Sequence, residues 1–136
     1  MAVLCDTSFV FSLIDRADPQ HAQCRALYLR LPDLLLPAPA LTELAYLFHR
    51  TGGNMAVAGA LRTIREGHMA IVDLDAADYD RVVEILTKYA DSRIDFVDAC
   101  IMALAERLRV ARILTFDRRD FGLYRPAHCE HFELLP

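Results

Sequence analysis

The sequence predicts a three-layer α/β sandwich, a short parallel sheet flanked by helices. Three observations lead there. Apolar runs too short for helices alternate with longer segments of helical periodicity. Those runs are nearly continuous in Leu, Ile and Val, as strands covered on both faces are. Proline, glycine and acidic residues punctuate the chain where helices need starts and stops. With 136 residues, 54% hydrophobic and 25% charged, the expectation is one compact domain over 1–136, without repeats or low-complexity tracts.

Ala2-Val-Leu-Cys5 reads as a buried strand ending on the carboxylate of Asp6. Thr7 or Ser8 can cap a helix whose apolar positions are Phe9, Val10, Leu13 and Ile14. Asp18-Pro19 then opens a helix over 19–31. Residues 33–37 form a second short strand, closed by Pro37 and Pro39, and Pro39 begins a helix over 39–51 that stops at Gly52-Gly53. Asn54 can cap a helix over 55–66 that ends at Gly67. A strand at 69–74, a helix at 76–90, a helix at 95–109 and a strand at 111–115 follow. The tail reads as a turn-rich segment, 117–127, and an edge strand around 131–135.

The early helices come in pairs, which departs from a plain Rossmann alternation. No G-x-G-x-x-G follows the first strand and no G-x-x-x-x-G-K-[ST] occurs, so nucleotide cofactors are poorly supported. No apolar run reaches the ~20 residues of a bilayer span, and no basic-then-apolar leader is present, so the chain reads as cytoplasmic, with no membrane partner. Cys5, Cys24, Cys100 and Cys129 lack paired spacing and are expected as free thiols. His21-x-x-Cys24 with His128-Cys129-x-His131 could supply zinc ligands, but neither half has finger spacing, and surface histidines are the preferred reading.

The net charge of −4 disfavours a general nucleic-acid binder, yet its distribution is uneven. Six arginines fall between Arg107 and Arg125, and five acids between Asp73 and Glu84. Solvated faces explain much of this. A basic edge beside an acidic pocket is also what a metal-dependent phosphodiesterase needs.

Four acids sit at comparable places. Asp6 follows the first strand, where ligands of parallel sheets collect. Glu43 lies near the start of the third helix, on the flank of the face made by Leu41, Leu44, Leu47 and Phe48. Asp98 borders the apolar face of the 95–109 helix, about 60° from Ile101. Asp95, three residues earlier, is read as that helix's N-cap or an outer partner. Asp117 follows the strand ending at Thr115 just as Asp6 follows the first, and neighbouring strands would set the two side by side. Thr7, Ser8 and Thr115 add hydroxyls, and Asp120 is a supporting acid or a partner for Arg118 or Arg119. Two unit charges about 4 Å apart repel by roughly 4 kcal/mol at an effective dielectric of 20, so clustering implies a cation. An all-oxygen donor set favours Mg²⁺ or Mn²⁺ over zinc, and such ions suit phosphodiester hydrolysis.

Asp6-Thr7-Ser8, Glu43, Asp95-Phe-Val-Asp98-Ala with Ala103-Leu-Ala-Glu-Arg107, and Ile113-Leu-Thr-Phe-Asp117-Arg-Arg-Asp-Phe121 resemble the PIN-domain nucleases, especially VapC-like toxins of toxin–antitoxin pairs. The resemblance spans nearly the whole chain in order. It implies a PIN-like parallel sheet and a metal-dependent endoribonuclease with Asp6, Glu43, Asp98 and Asp117 as the catalytic metal acids. It places a hydroxyl role on Thr7 or Ser8. It also implies an RNA substrate, a homodimer and a cognate antitoxin protein. Two other classes compete. A receiver-like metal-binding domain wants a lysine after a late strand, whereas the sole lysine, Lys88, falls in a helix. A non-catalytic PIN-like interaction module would have no need of four carboxylates.

Overall fold

The computed structural model describes residues 1–136 as a parallel sheet between two helical layers. The elements run β1 (Val3–Cys5), α1 (Thr7–Ile14), α2 (His21–Arg30), β2 (Leu34–Pro37), α3 (Ala40–Glu66), β3 (Met69–Val72), α4 (Ala76–Lys88), α5 (Phe96–Leu108), β4 (Arg112–Leu114), α6 (Arg118–Leu123) and β5 (Glu133–Leu135). All strand pairs are parallel, in the order β3-β2-β1-β4-β5. The chain lays β2 and β3 to one side of β1, then returns to add β4 and β5 on the other. β1 and β4 therefore flank the switch point, with Leu4 opposite Ile113 and Cys5 opposite Leu114.

Alternation along the strands explains the two cores. Val3 and Cys5 pack with α1, α2 and α3, while Leu4 between them packs with α4 and α5. Leu114 and Ile113 divide in the same way. With both faces covered, the strands need no polar side, which is why they read as unbroken apolar runs. The most buried helix is α5, where Ala99 through Ala105 are all buried. No helix is long and apolar enough to cross a membrane.

Three local expectations are corrected. α1 is capped by Asp6 itself, whose carboxylate accepts from the Thr7 N–H at 2.8 Å. Neither Thr7 nor Ser8 caps it. α2 starts at His21 with Gln20 at its N-cap, because Asp18 instead holds the preceding turn by accepting from the Gln20 N–H. The segment after Asp117 forms a short helix: Asp117 caps it, accepting from the Asp120 N–H at 3.0 Å, and the buried Phe121 anchors it. The expected stop at Gly52-Gly53 is borne out: helices 39–51 and 55–66 are the two limbs of α3, separated where Gly52 and Gly53 leave helical backbone.

Gly53 has φ +65 and ψ −159, a region essentially confined to glycine. Nothing lies within 4 Å of a Cβ built there, so the penalty is conformational alone. Gly53→Ala is expected to lower unfolding stability by about 1–3 kcal/mol in urea titration; an unchanged midpoint would contradict this backbone assignment.

Candidate active site

Three of the acids are helix N-caps: Asp6 for α1, Asp95 for α5 and Asp117 for α6. Helix N-termini favour negative charge, which offsets part of the repulsion of gathering carboxylates at the strand ends. Glu43 stands in the first turn of α3, and Asp98 is the third residue of α5. Asp95 and Asp98 form a reciprocal capping box, Asp95 accepting from the Asp98 N–H at 2.9 Å and Asp98 from the Asp95 N–H at 3.2 Å.

These elements converge on one cleft of about 880 Å³, lined by Asp6, Thr7, Ser8, Thr42, Glu43, Tyr46, Leu47, Arg93, Asp95, Asp98, Asp117 and Asp120. One carboxylate oxygen from each of Asp98, Asp117 and Asp120 lies within 4.8 Å of the other two. Asp120, expected as a supporting acid or an arginine's partner, thus belongs to the tightest group, brought there by the unexpected α6. It forms no ion pair with Arg118 or Arg119. Asp6 and Glu43 line the same cleft outside that group.

Their hydrogen bonds explain the difference. Asp6 Oδ1 accepts from the Thr7 N–H, while Oδ2 accepts from Thr115 Oγ1 at 2.7 Å and from Ser8 Oγ at 3.3 Å. Glu43 Oε1 accepts from Thr7 Oγ1 at 2.7 Å. Thr115 Oγ1 in turn accepts from the Asp117 N–H at 2.9 Å, and Ser8 Oγ from the Phe116 N–H at 3.1 Å. Two hydroxyls therefore tie the end of β4 to the end of β1 and fix the spacing of Asp117 and Asp6.

Thr115 is fully buried. Thr115→Val removes a donor to Asp6 and leaves the Asp117 N–H without its acceptor. The expected loss is about 1–3 kcal/mol in urea unfolding, with Thr115→Ser close to wild type. A loss below about 0.5 kcal/mol for the valine variant would count against this bridge.

The electrostatics are those of crowded acids. Burial pushes Asp6 up to about 6 against the hydrogen bonds from Thr115 and Thr7, and the charge of Glu43 adds to the rise. Asp98 is pushed up to about 8, by burial first, then by the charges of Asp95, Asp6 and Asp117. Burial and Asp117 raise Asp120 as well. Three carboxylates with elevated proton affinity, all oxygen donors and three within ion-binding distance, fit a hard divalent cation.

His21 Nδ1 lies 3.1 Å from the Ser12 carbonyl oxygen and His128 Nε2 2.8 Å from that of Val110, and the one metal-sized group of ligand residues is the aspartate trio. Lys88 leans over the Tyr89 ring and does not line the acid cleft, so the lysine of a receiver-like site has no counterpart here. Thr42, Tyr46, Leu47 and Arg93 escaped sequence reasoning. The first three neighbour Glu43 at i−1, i+3 and i+4, a spacing that could have placed them. Arg93 carried no signal beyond its nearness to Asp95.

A family model for the PIN domain matches residues 3–127. Ribonuclease VapC26 of Mycobacterium tuberculosis is 34% identical over 135 residues, covering 98% of this chain and 100% of that protein. Among solved structures, the fold matches VapC20 of Mycobacterium tuberculosis, a sarcin–ricin loop cleaving toxin, with a TM-score of 0.81 at 22% identity over 94% of this chain and 98% of the other. It also matches a toxin–antitoxin complex from Klebsiella pneumoniae with a TM-score of 0.65 at 21% identity, over 89% of this chain and 91% of that one.

Proposed function

The chain belongs to the PIN-domain family, and from that premise we propose that it is an RNA-cleaving toxin of a toxin–antitoxin pair, an endoribonuclease that works with Mg²⁺ or Mn²⁺. The observation that carries the chemistry is the convergence of Asp98, Asp117 and Asp120 within 4.8 Å, with Asp6 and Glu43 in the same cleft. The likeness to Ribonuclease VapC26 supports RNA as the substrate. The likeness to a toxin–antitoxin complex supports a small antitoxin protein as partner. Residues 1–136 act as one nuclease domain in this reading. A homodimer belongs to it too, supported by Tyr46, Met55 and Leu61, which stay exposed along α3.

Asp98, Asp117 and Asp120 would hold the ion, with Asp6 beside them. When bound, it polarises a phosphoryl oxygen and acidifies a coordinated water. The chain's own residues do the positioning. Thr7 holds one oxygen of Glu43 and leaves the other free to take a proton from the attacking water. Thr115 and Ser8 keep Asp6 from turning away from the cleft. Asp95 is bound up in capping α5 and orients Asp98 through the capping box.

The test is RNA cleavage by the purified chain with Mg²⁺ or Mn²⁺ and after chelation. Cleavage undiminished in excess EDTA would overturn the metal mechanism. No cleavage of any RNA by the ion-loaded protein would overturn the nuclease reading itself.

A further inference from the structure

The acid cleft contains one basic side chain. Six carboxylates line it, those of Asp6, Glu43, Asp95, Asp98, Asp117 and Asp120, and Arg93 alone opposes them. Although surrounded by acids, Arg93 takes part in none of the chain's ion pairs, which are made by Arg81, Arg107 and Arg112. Its side chain is exposed and its donors are free.

The backbone beneath it is held. Ser92 Oγ donates to the Tyr89 carbonyl at 2.7 Å and accepts from the Ile94 N–H at 3.2 Å, and the Ser92 N–H also reaches the Tyr89 carbonyl. Ile94 is buried, and Asp95 next to it is locked as the α5 N-cap. Arg93 therefore projects from a pinned turn, two residues before the cap of the helix that carries Asp98. Its charge also bears on Asp120, opposing the rise of that carboxyl.

An RNA phosphodiester entering this cleft meets six carboxylates among neutral side chains, and Arg93 is the one cationic side chain there to offset them. A metal ion supplies one positive contact. A guanidinium supplies the other, with a planar fork of donors that matches phosphate oxygens. We propose that Arg93 binds a non-bridging oxygen of the scissile phosphate, holding it against the acid cluster and stabilising the charge that builds on it as water adds to phosphorus, its proton passing to Glu43, and the P–O bond breaks with its electron pair going to the leaving oxygen, which takes a proton from solvent. This rests on the RNA-hydrolase reading and adds a substrate-binding cation that the carboxylate pattern does not contain.

The experiment compares wild type, Arg93→Gln and Arg93→Lys on an RNA that wild type cleaves, at saturating Mn²⁺, with Mn²⁺ affinity and melting temperature measured on each. Arg93→Gln is expected to lower kcat by about 10²-fold, the scale of one lost oxyanion donor. Its Mn²⁺ affinity should be unchanged or tighter, since a positive neighbour of the acids is gone. Arg93→Lys should recover part of the rate, because it keeps the charge and loses the fork. Cleavage by Arg93→Gln within threefold of wild type overturns the proposal, including where the variant instead escapes an inhibiting antitoxin and Arg93 serves a protein contact. A rate loss that tracks weaker Mn²⁺ binding or a lower melting temperature also overturns it, assigning Arg93 to the architecture of the site. If wild type itself cuts no RNA, the hydrolase reading falls first and takes this inference with it.

Discussion

Replacing Asp98 by Asn is expected to cut RNA cleavage by about 10²–10³-fold, because the charge that holds a cation at the scissile phosphate is worth several kcal/mol in the transition state. The fold should survive. Asn keeps an oxygen that can accept from the Asp95 N–H, so the reciprocal cap of α5 persists. The paired control is Asp95→Asn, which keeps the acceptor for the Asp98 N–H and stands outside the Asp98, Asp117 and Asp120 group; its activity should stay within a few-fold of wild type. If Asp98→Asn retains near-full activity while Asp95→Asn abolishes it in a folded protein, the two roles are reversed.

The same variant should be more stable than wild type without metal, and pH should reveal why. Asp98 is pushed up to about 8, whereas an unfolded aspartate titrates near 3.9. A folded pKa above the unfolded one means that the folded state keeps a proton the unfolded state has released. The contribution is intact below about pH 4 and is lost as pH rises toward 8. The asparagine of the variant cannot titrate. The stability difference should therefore be smallest near pH 4 and grow to about 0.5–2 kcal/mol by pH 8, the scale of carboxylate repulsion after solvent screening. Thermal melts of both proteins in EDTA across that range measure it.

How far the site can be read from sequence depends on whether each residue's role is local. Asp6 and Asp117 are legible because each follows an apolar run, and the sheet order then makes those runs neighbours. Asp98 follows from helical periodicity, and the Asp95 cap from its position before an apolar face. Asp120 ranks too low in the sequence because its position depends on α6, a six-residue helix too short to show a period. That helix is held by the Asp117 cap and by Phe121, whose ring packs edge-on against that of Phe132 in the segment leading into β5, at 6.4 Å between centroids. Thr115 reads as a nearby hydroxyl; that it bridges Asp6 and Asp117 is a fact of strand register, visible only once β1 and β4 pair. Arg93 lies out of reach for the same reason, since only the convergence of the α5 and α6 N-termini on one cleft sets a loop arginine among the acids.

Chelation is expected to abolish cleavage, and the affinity for the restoring ion should depend steeply on pH. Asp6, pushed up to about 6 by burial, and Asp98, pushed up to about 8, both hold protons that a metal must displace. Below those values protons compete with the ion, and above them the carboxylates stand ionised and mutually repelling until it binds. For each proton displaced, the apparent affinity should rise by up to about tenfold per pH unit, so it climbs with one proton's slope between about pH 6 and 8, more steeply below about pH 6, and levels off above about pH 8. Mn²⁺ titrations by calorimetry at pH 6, 7, 8 and 9 read this directly. Binding also feeds back on stability, so saturating Mn²⁺ should raise the melting temperature most at and above about pH 8, where the metal-free site is least stable. Asp98→Asn should bind Mn²⁺ more weakly throughout and lose the slope between about pH 6 and 8, because the group whose proton the ion displaces there has been removed. An affinity that stays flat from pH 6 to 9 in wild type would show that these carboxylates are not what the ion displaces protons from, and the metal site would have to be sought away from the Asp98, Asp117 and Asp120 cluster.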